Sequence, residues 1–218
     1  MTLRTLPQGG RWLINPYTYQ FPQSPISLYL ILMESSKWAP VVVLVDADHL
    51  DAVASDLNTN FERIIGRAIP KADLCHWLDC VALDGGLRPG NNQVQAVFIH
   101  SDRKRALEHF LPARFDDELN GKAFADNLGE FTLLSFPVEQ IVTGEEFFIQ
   151  SLATLADAKE VERLIVVGDM AAYGSRVAEI CEKTDGKEIT LLAMAPVDGE
   201  GFRQEVLGYS LMSAMGIK

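Results

Sequence analysis

The sequence predicts an α/β fold, a three-layer sandwich in which helices cover both faces of a mainly parallel sheet with Rossmann-like topology. Two observations support this prediction. Short β-branched runs such as Val41–Val45 and Leu164–Val167 are typical of strands buried on both faces. Stretches with helical spacing of apolar residues lie between such runs, and strands that alternate with helices form parallel sheets.

The first half of this pattern begins at Val41. The loop 85–92 is rich in Gly, Pro and Asn and ends a helix, and Pro112 ends another. The predicted elements are strand 41–45, helix 50–66, helix 72–83, strand 94–100, helix 102–111 and an irregular or short helical stretch at 113–128.

The second half repeats the alternation. Thr143 and Glu146 have the S/T-x-x-E spacing of a capping box, which predicts the start of a helix. The predicted elements are strand 131–136, helix 143–156, strand 164–167, helix 172–183, strand 188–195 and a terminal amphipathic helix at 202–215.

Composition and charge exclude several classes of protein. The 218 residues are 48% apolar and carry a net charge of −11, which is too apolar for a disordered chain and too acidic for broad, non-specific nucleic-acid binding. No apolar run approaches the roughly 18 residues of a membrane helix, so no membrane partner is expected. Three unevenly spaced cysteines indicate a reducing, cytoplasmic protein.

The first forty residues differ from the rest of the chain. They hold five of the ten prolines, and Arg4 and Arg11 are the only charges up to residue 33. We therefore predict an N-terminal arm at 1–38 and a single α/β domain at 39–218. The arm is either an extended segment with Ile26–Met33 as an added strand, or a stretch upstream of a natural start at Met33. Because no cleavage site follows the apolar stretch, we do not expect a secretory signal.

Acidic residues follow the predicted strands, where ligands bind in such sheets. The five rim acids are Asp46, Asp48, Glu145, Glu146 and Asp169. Carboxylates that converge in this way hold Mg²⁺ or Mn²⁺. Acids at helix starts also serve as caps and complement the helix dipole. Only Asp46 is expected to precede the cap position.

Four segments carry a resemblance to a known family: VVVLVDADHL (41–50), TGEEFFIQSLATLA (143–156), RLIVVGDMAAYGSRVAEI (163–180) and EITLLAMA (188–195). They resemble the motifs of the NYN branch of PIN-like nucleases, and the resemblance implies a PIN-like topology for the predicted sheet. The resemblance implies that Asp46, Glu145 or Glu146, and Asp169 bind Mg²⁺ or Mn²⁺. It further implies RNA cleavage by a metal-activated water, with Asp46 and Asp169 as catalytic residues.

This sequence departs from the family pattern at two positions. His49 stands where an Asn is expected, and the segment after Asp169 lacks a second acid. Basic residues to hold a nucleic-acid backbone are scarce, since Arg103–Arg105 is the only short run. The alternative on activity is therefore a non-catalytic binding or assembly module for RNA or a protein partner.

A second enzyme class remains open. Asp46-Ala47-Asp48, Val97–Ser101 and Val167–Asp169 are similar to motifs of haloacid-dehalogenase-type phosphohydrolases. Asp46 would be the nucleophile and Asp48 the general acid. This alternative requires a lysine amine near Asp46.

Two further signals are weak. No G-x-G-x-x-G or P-loop follows a strand, so no dinucleotide is expected. Cys75, His76, Asp79 and Cys80 are metal-ligand residue types close together, but Cys75 and Cys80 do not share a helix face. A packed helix is the favoured interpretation of that segment.

Overall fold

The computed structural model describes residues 4–5, 37–138 and 142–217. Its strands are Arg4–Thr5 (β1), Val41–Asp46 (β2), Ala72–Asp73 (β3), Asn92–Ser101 (β4), Phe110–Leu111 (β5), Lys122–Ala125 (β6), Gly129–Val138 (β7), Arg163–Val167 (β8), Glu188–Ala193 (β9) and Arg203–Val206 (β10). Its helices are Ala47–Ile65 (α1), Leu74–Asp84 (α2), Gly144–Asp157 (α3), Met170–Glu182 (α4) and Leu207–Ala214 (α5), with a π-helical turn at Phe115–Leu119.

Within these residues the main sheet has the strand order β1-β6-β7-β4-β2-β8-β9-β10. The six strands from β7 to β10 in this order are parallel, and β6 and β1 extend the sheet in antiparallel fashion. Numbered along the chain, the parallel strands have the order 3-2-1-4-5-6 of a doubly wound sheet. The predicted mainly parallel α/β sandwich is thus confirmed, and its topological switch point lies between β2 and β8.

Alternation along β2 divides the core into two layers. Val43 and Val45 pack on one face with residues of α1, α2 and α5. Val42 and Leu44 pack on the other face with residues of α3 and α4. Every residue from Val41 to Val45 is buried, because helices cover both faces of the sheet.

The predicted helix at 102–111 is wrong. In its place the chain runs irregularly into β5, which pairs with β3 so that Ala72 lies opposite Phe110. The backbone N–H groups of Glu108 and His109 donate to the buried carboxylate of Asp51. These two N–H groups therefore do not donate to the backbone carbonyl oxygens of a helix.

The predicted terminal helix at 202–215 is also partly wrong. Residues Arg203–Val206 form the edge strand β10, which pairs in parallel with β9, and the helix begins only at Leu207. All four residues of β10 are exposed and three of them are polar. The segment therefore shows no alternation of apolar and polar residues that would predict a strand.

The predicted N-terminal arm lies mostly outside the described residues, including its apolar stretch Ile26–Met33. Two of its residues, Arg4–Thr5, pair with β6 at one edge of the sheet. Within the described part of the chain, no helix combines the length and apolar character needed to cross a membrane.

Candidate functional site

Strand β2 ends at the centre of the sheet, and its last residue is a helix cap. Asp46 is the N-cap of α1, and its Oδ1 accepts a 3.0 Å hydrogen bond from the backbone N–H of His49. The sequence predicts that Asp46 precedes the cap and that the helix begins near residue 50. That placement is wrong, because α1 starts immediately at Ala47. Asp48 therefore lies in the first helical turn.

The switch-point cluster consists of Asp46, Tyr173, Asp169 and His49. The Tyr173 hydroxyl donates to Asp46 Oδ2 at 2.7 Å and accepts from the backbone N–H of Asp169 at 2.9 Å. Burial and the negative charge of Asp46 raise the pKa of Tyr173 far above its usual range. The phenol therefore stays protonated and acts as a hydrogen-bond bridge between the ends of β2 and β8.

Asp169 is also used as a helix cap. Its Oδ1 accepts from the backbone N–H groups of Ala171 and Ala172, both at 3.1 Å, at the start of α4. Its Oδ2 lies 3.8 Å from His49 Nδ1. His49, which stands where the NYN motif has an Asn, therefore lies close to Asp169.

Gly168 allows this cluster to close. A Cβ at this position would lie 2.7 Å from the Tyr173 hydroxyl oxygen and 3.1 Å from Phe148. Since Cβ atoms do not approach other heavy atoms so closely, the buried Tyr173 reaches Asp46 only because residue 168 has no side chain.

Glu145 and Glu146 lie at the start of α3 and are paired with α4. Arg176 Nη1 is 2.8 Å from Glu145 Oε1, and Nη2 is 2.9 Å from Glu146 Oε2. Thr143 caps α3 as the sequence predicts, because its hydroxyl accepts from the Glu146 N–H at 3.1 Å. The Glu146 side chain turns to Arg176 and Gln150.

A cleft of about 430 Å³ opens on the other side of Asp46, at the carboxyl ends of β2, β4 and β7. We call it the strand-end cleft. It is lined by Asp46, Asp48, Ile99, His100, Ser101, Asp102, Arg103, Val138, Val142 and Gly144.

Asp48 lines this cleft, and one of its carboxylate oxygens is buried. Its Oδ2 accepts from the backbone N–H of Ser101 at 3.0 Å, which ties α1 to the end of β4. Its Oδ1 is buried and has no hydrogen-bond partner among the described residues, and Lys104 Nζ remains 3.9 Å away. Burial raises the pKa of Asp48, outweighing the opposing effects of the Ser101 N–H and Lys104.

His100 is the second residue of the cleft with a hydrogen-bonding atom unpaired among the described residues, and the sequence motifs assign it no role of its own. It is 4% exposed and stacks on Phe115 with ring centroids 3.8 Å apart. Its Nδ1 lies 2.9 Å from the Ser101 carbonyl oxygen, which only accepts, so Nδ1 carries the proton. Burial lowers the pKa of His100, which keeps the ring neutral.

It follows that Nε2 of His100 is a buried acceptor. It has no hydrogen-bond partner within the described part of the chain. The sequence signal that could have found it is a histidine at the end of an otherwise apolar strand, beside the acids of the next strand.

Lys104 approaches the cleft from the segment after β4. Its ammonium pairs with Asp51 Oδ2 at 2.8 Å and is only loosely placed against Asp48. Burial raises the pKa of Asp51, but the Lys104 ammonium and the N–H groups of His109 and Glu108 outweigh it and hold the value below its usual range. The lysine that a phosphohydrolase of dehalogenase type would need beside Asp46 is, for Lys104, committed to Asp51.

The five rim acids thus fall into three places. Asp46 and Asp169 share the switch-point cluster, Asp48 faces the strand-end cleft, and Glu145 and Glu146 are paired with Arg176. Among residues 37–138 and 142–217, no three His, Cys, Asp or Glu side chains form a group that could hold a metal ion. A magnesium or manganese site remains a prediction.

Comparison with known families gives one match. Residues 35–218 match the model described as "Family of unknown function (DUF6621)". The chain belongs to this family. The match includes both the switch-point cluster and the strand-end cleft. No curated protein and no solved structure matches the chain.

Proposed function

We propose that this protein is a PIN-like, non-catalytic binding domain. Its strand-end cleft binds a hydrated Mg²⁺ or Mn²⁺ ion together with a ligand that coordinates the ion. One observation supports the proposal above the others. Two buried acceptor atoms, Asp48 Oδ1 and His100 Nε2, belong to residues that line this cleft, and neither has a hydrogen-bond partner among the described residues. A buried polar atom without a partner costs about 1–3 kcal/mol, so a ligand that satisfies both is strongly favoured.

The chemistry of these two atoms selects the ligand. Both accept hydrogen bonds, so the ligand must present donors or positive charge. Mg²⁺ keeps several of its waters and is held by one or two carboxylates rather than by a closed protein cage. Asp48 supplies such a carboxylate, and His100 Nε2 accepts from a metal-bound water.

The same lining can receive the partner of the ion. Arg103 contributes a positive charge to a cleft that otherwise carries Asp46, Asp48 and Asp102. A metal ion with a phosphate-bearing partner, such as an RNA strand, has charges of both signs and matches this mixture.

The remaining rim acids support binding rather than hydrolysis. Arg176 neutralises Glu145 and Glu146, and the Tyr173 hydroxyl occupies Asp46. In the nuclease-type mechanism these carboxylates would have to bind metal together. Here they connect helices and strands of the same chain.

Thermal unfolding with Mn²⁺ and Mg²⁺ tests this proposal. We expect either ion to raise the melting temperature of the wild type and of Glu145→Gln, and to leave that of Asp48→Asn unchanged. Glu145→Gln is the matched control, because it removes a rim charge that is paired with Arg176. A wild type that does not respond to either ion contradicts the proposal.

An RNA phosphodiesterase is the second candidate. It is favoured by one contact, the Tyr173 hydroxyl that brings Asp46 and Asp169 to the same point. It predicts Mn²⁺-dependent cleavage of single-stranded RNA that is lost in Asp169→Asn. We expect no such turnover, and its appearance would replace the binding proposal with this one.

A further inference from the structure

The outer face of α2 carries a second pair of metal-ligating side chains, remote in sequence from the strand-end cleft. His76 and Cys80 lie one helical turn apart, with Nε2 and Sγ separated by 3.8 Å. Ser213 of α5 approaches both, with its Oγ 3.1 Å from Nε2 and 3.6 Å from Sγ. Cys75, the other cysteine of α2, is buried and does not belong to this pair.

The separation fits a tetrahedral zinc ion. Zn–S bonds of about 2.3 Å and Zn–N bonds of about 2.0–2.1 Å place two ligand atoms about 3.5 Å apart. The observed 3.8 Å reaches this value with a small side-chain rotation. His76 is exposed and Cys80 is half-buried, so an ion can reach both atoms.

The local charge also favours a cation. The carboxylates of Asp84 and Asp79 lie near enough to Cys80 to place a negative field on its sulfur. The same negative field that disfavours a bare thiolate attracts Zn²⁺. When the metal–sulfur bond forms, the thiol proton passes to solvent.

The described residues of one chain supply two of the four ligands of a structural zinc site. Among the described residues no third His, Cys, Asp or Glu side chain joins His76 and Cys80 in a metal-binding group. We propose that Zn²⁺ joins two copies of this chain about a two-fold axis, with His76 and Cys80 of each copy completing a Cys₂His₂ tetrahedron.

The surroundings of the pair suit such an interface. Leu83 follows Cys80 on the same stripe of α2 and is 44% exposed, and Tyr209 precedes Ser213 on the same stripe of α5 and is 72% exposed. Burial and the nearby Glu205, just before α5, raise the pKa of Asp84 at the end of α2. His76 near the start of α2 contacts Ser213 near the end of α5, so the two helices run antiparallel. Apolar side chains therefore lie beside the metal ligands, where a second copy would cover them.

Metal titration of the full, metal-free chain tests the proposal. We expect one Zn²⁺ per two chains and a zinc-dependent monomer–dimer shift in sedimentation velocity. Co²⁺ in place of zinc should give the visible and thiolate charge-transfer bands of a tetrahedral centre with sulfur ligands. His76→Ala and Cys80→Ala should each lower affinity by at least about tenfold, since even residues that only support a ligand contribute about that much.

Cys181→Ala is the control, because it removes a thiol on α4 and leaves the pair intact. It should dimerise with zinc like the wild type, and circular dichroism confirms that each variant is folded. Zinc affinity that is unchanged in both ligand variants overturns the proposal. So does one zinc per chain on a monomer, because the ion then does not bridge two copies.

Discussion

On the β8 side of Asp46, polar groups satisfy one another, whereas on the β4 side two of them do not. The Tyr173 hydroxyl bridges Asp46 and the Asp169 N–H, and Asp169 caps α4. Across β2, Asp48 Oδ1 and His100 Nε2 are buried without a hydrogen-bond partner among the described residues, and Lys104 Nζ lies 3.9 Å from Asp48 Oδ1. Both sides lie at the carboxyl ends of the same sheet, so position in the fold alone does not mark a ligand site. The difference is the basis for the proposal that a ligand binds in the strand-end cleft, and it predicts that the switch-point cluster contributes mainly to the stability of the fold.

The largest expected effect on the free energy of unfolding is at Asp51, which holds Lys104 in the segment after β4. Asp51 is 4% exposed, and its oxygens accept from Lys104, His109 and Glu108. In Asp51→Asn the amide NH₂ must face one of these donors whichever way it turns. We expect a loss of about 3–5 kcal/mol in the free energy of unfolding, measured by urea denaturation.

The pH dependence of Asp51 follows from the same contacts. Because its pKa is lower in the folded state, its stabilising contribution is present above the unfolded pKa and is lost as the pH falls through the folded value. Acid unfolding of the wild type should therefore be steeper than that of Asp51→Asn. Equal acid sensitivity would contradict the role given to Asp51.

The next effect probes the switch-point cluster. Tyr173→Phe removes the hydroxyl and leaves Asp46 Oδ2 and the Asp169 N–H without this partner. We expect a loss of about 1–3 kcal/mol in the free energy of unfolding. Tyr209→Phe, at a tyrosine that is 72% exposed, is the control and should change it by less than about 0.5 kcal/mol.

The same variant separates a structural from a latent catalytic cluster. If Tyr173 only stabilises the fold, Mn²⁺ should raise the melting temperature of Tyr173→Phe no more than that of the wild type. A much larger Mn²⁺ response in the variant would show that the hydroxyl blocks a metal site at Asp46 and Asp169.

The smallest effect compares the two neighbouring acids directly. Asp46→Asn should cost about 1–2 kcal/mol, because its two oxygens accept from the His49 N–H and the Tyr173 hydroxyl and an amide cannot do both. Asp48→Asn keeps an acceptor for the Ser101 N–H and removes a charge that burial disfavours, so it should not lower the metal-free free energy of unfolding at neutral pH.

Asp48 also gives this comparison a pH signature. Its pKa is raised by burial, so its proton is held more tightly in the folded state, and its contribution to stability falls as the pH rises through the folded pKa. Asp48→Asn should remove this decline, measured as the unfolding free energy against pH in chelator. A wild type and variant with parallel curves would contradict the burial of the Asp48 carboxylate.

The sequence by itself determined the architecture. Runs such as Val41–Val45 predict central strands because both faces of a parallel sheet are buried, and the Thr143 cap predicts the start of α3. It also placed acids after the strands, since a strand end followed by a helix start is a local pattern. The segment 102–111 was mispredicted because Asp51, more than fifty residues away, takes its backbone N–H groups.

Only the tertiary structure decided which side chains meet. Tyr173 reaches Asp46 across 127 positions of sequence, and Asp48 reaches the Ser101 N–H across 53. Arg176 lies on α4 and pairs with two acids of α3, which removes them from the rim. His100 is a candidate because its ring stacks on Phe115 and its Nε2 has no hydrogen-bond partner among the described residues. These outcomes depend on packing between distant elements, because hydrogen bonds and burial are properties of neighbours in space, which residue type and local spacing do not fix.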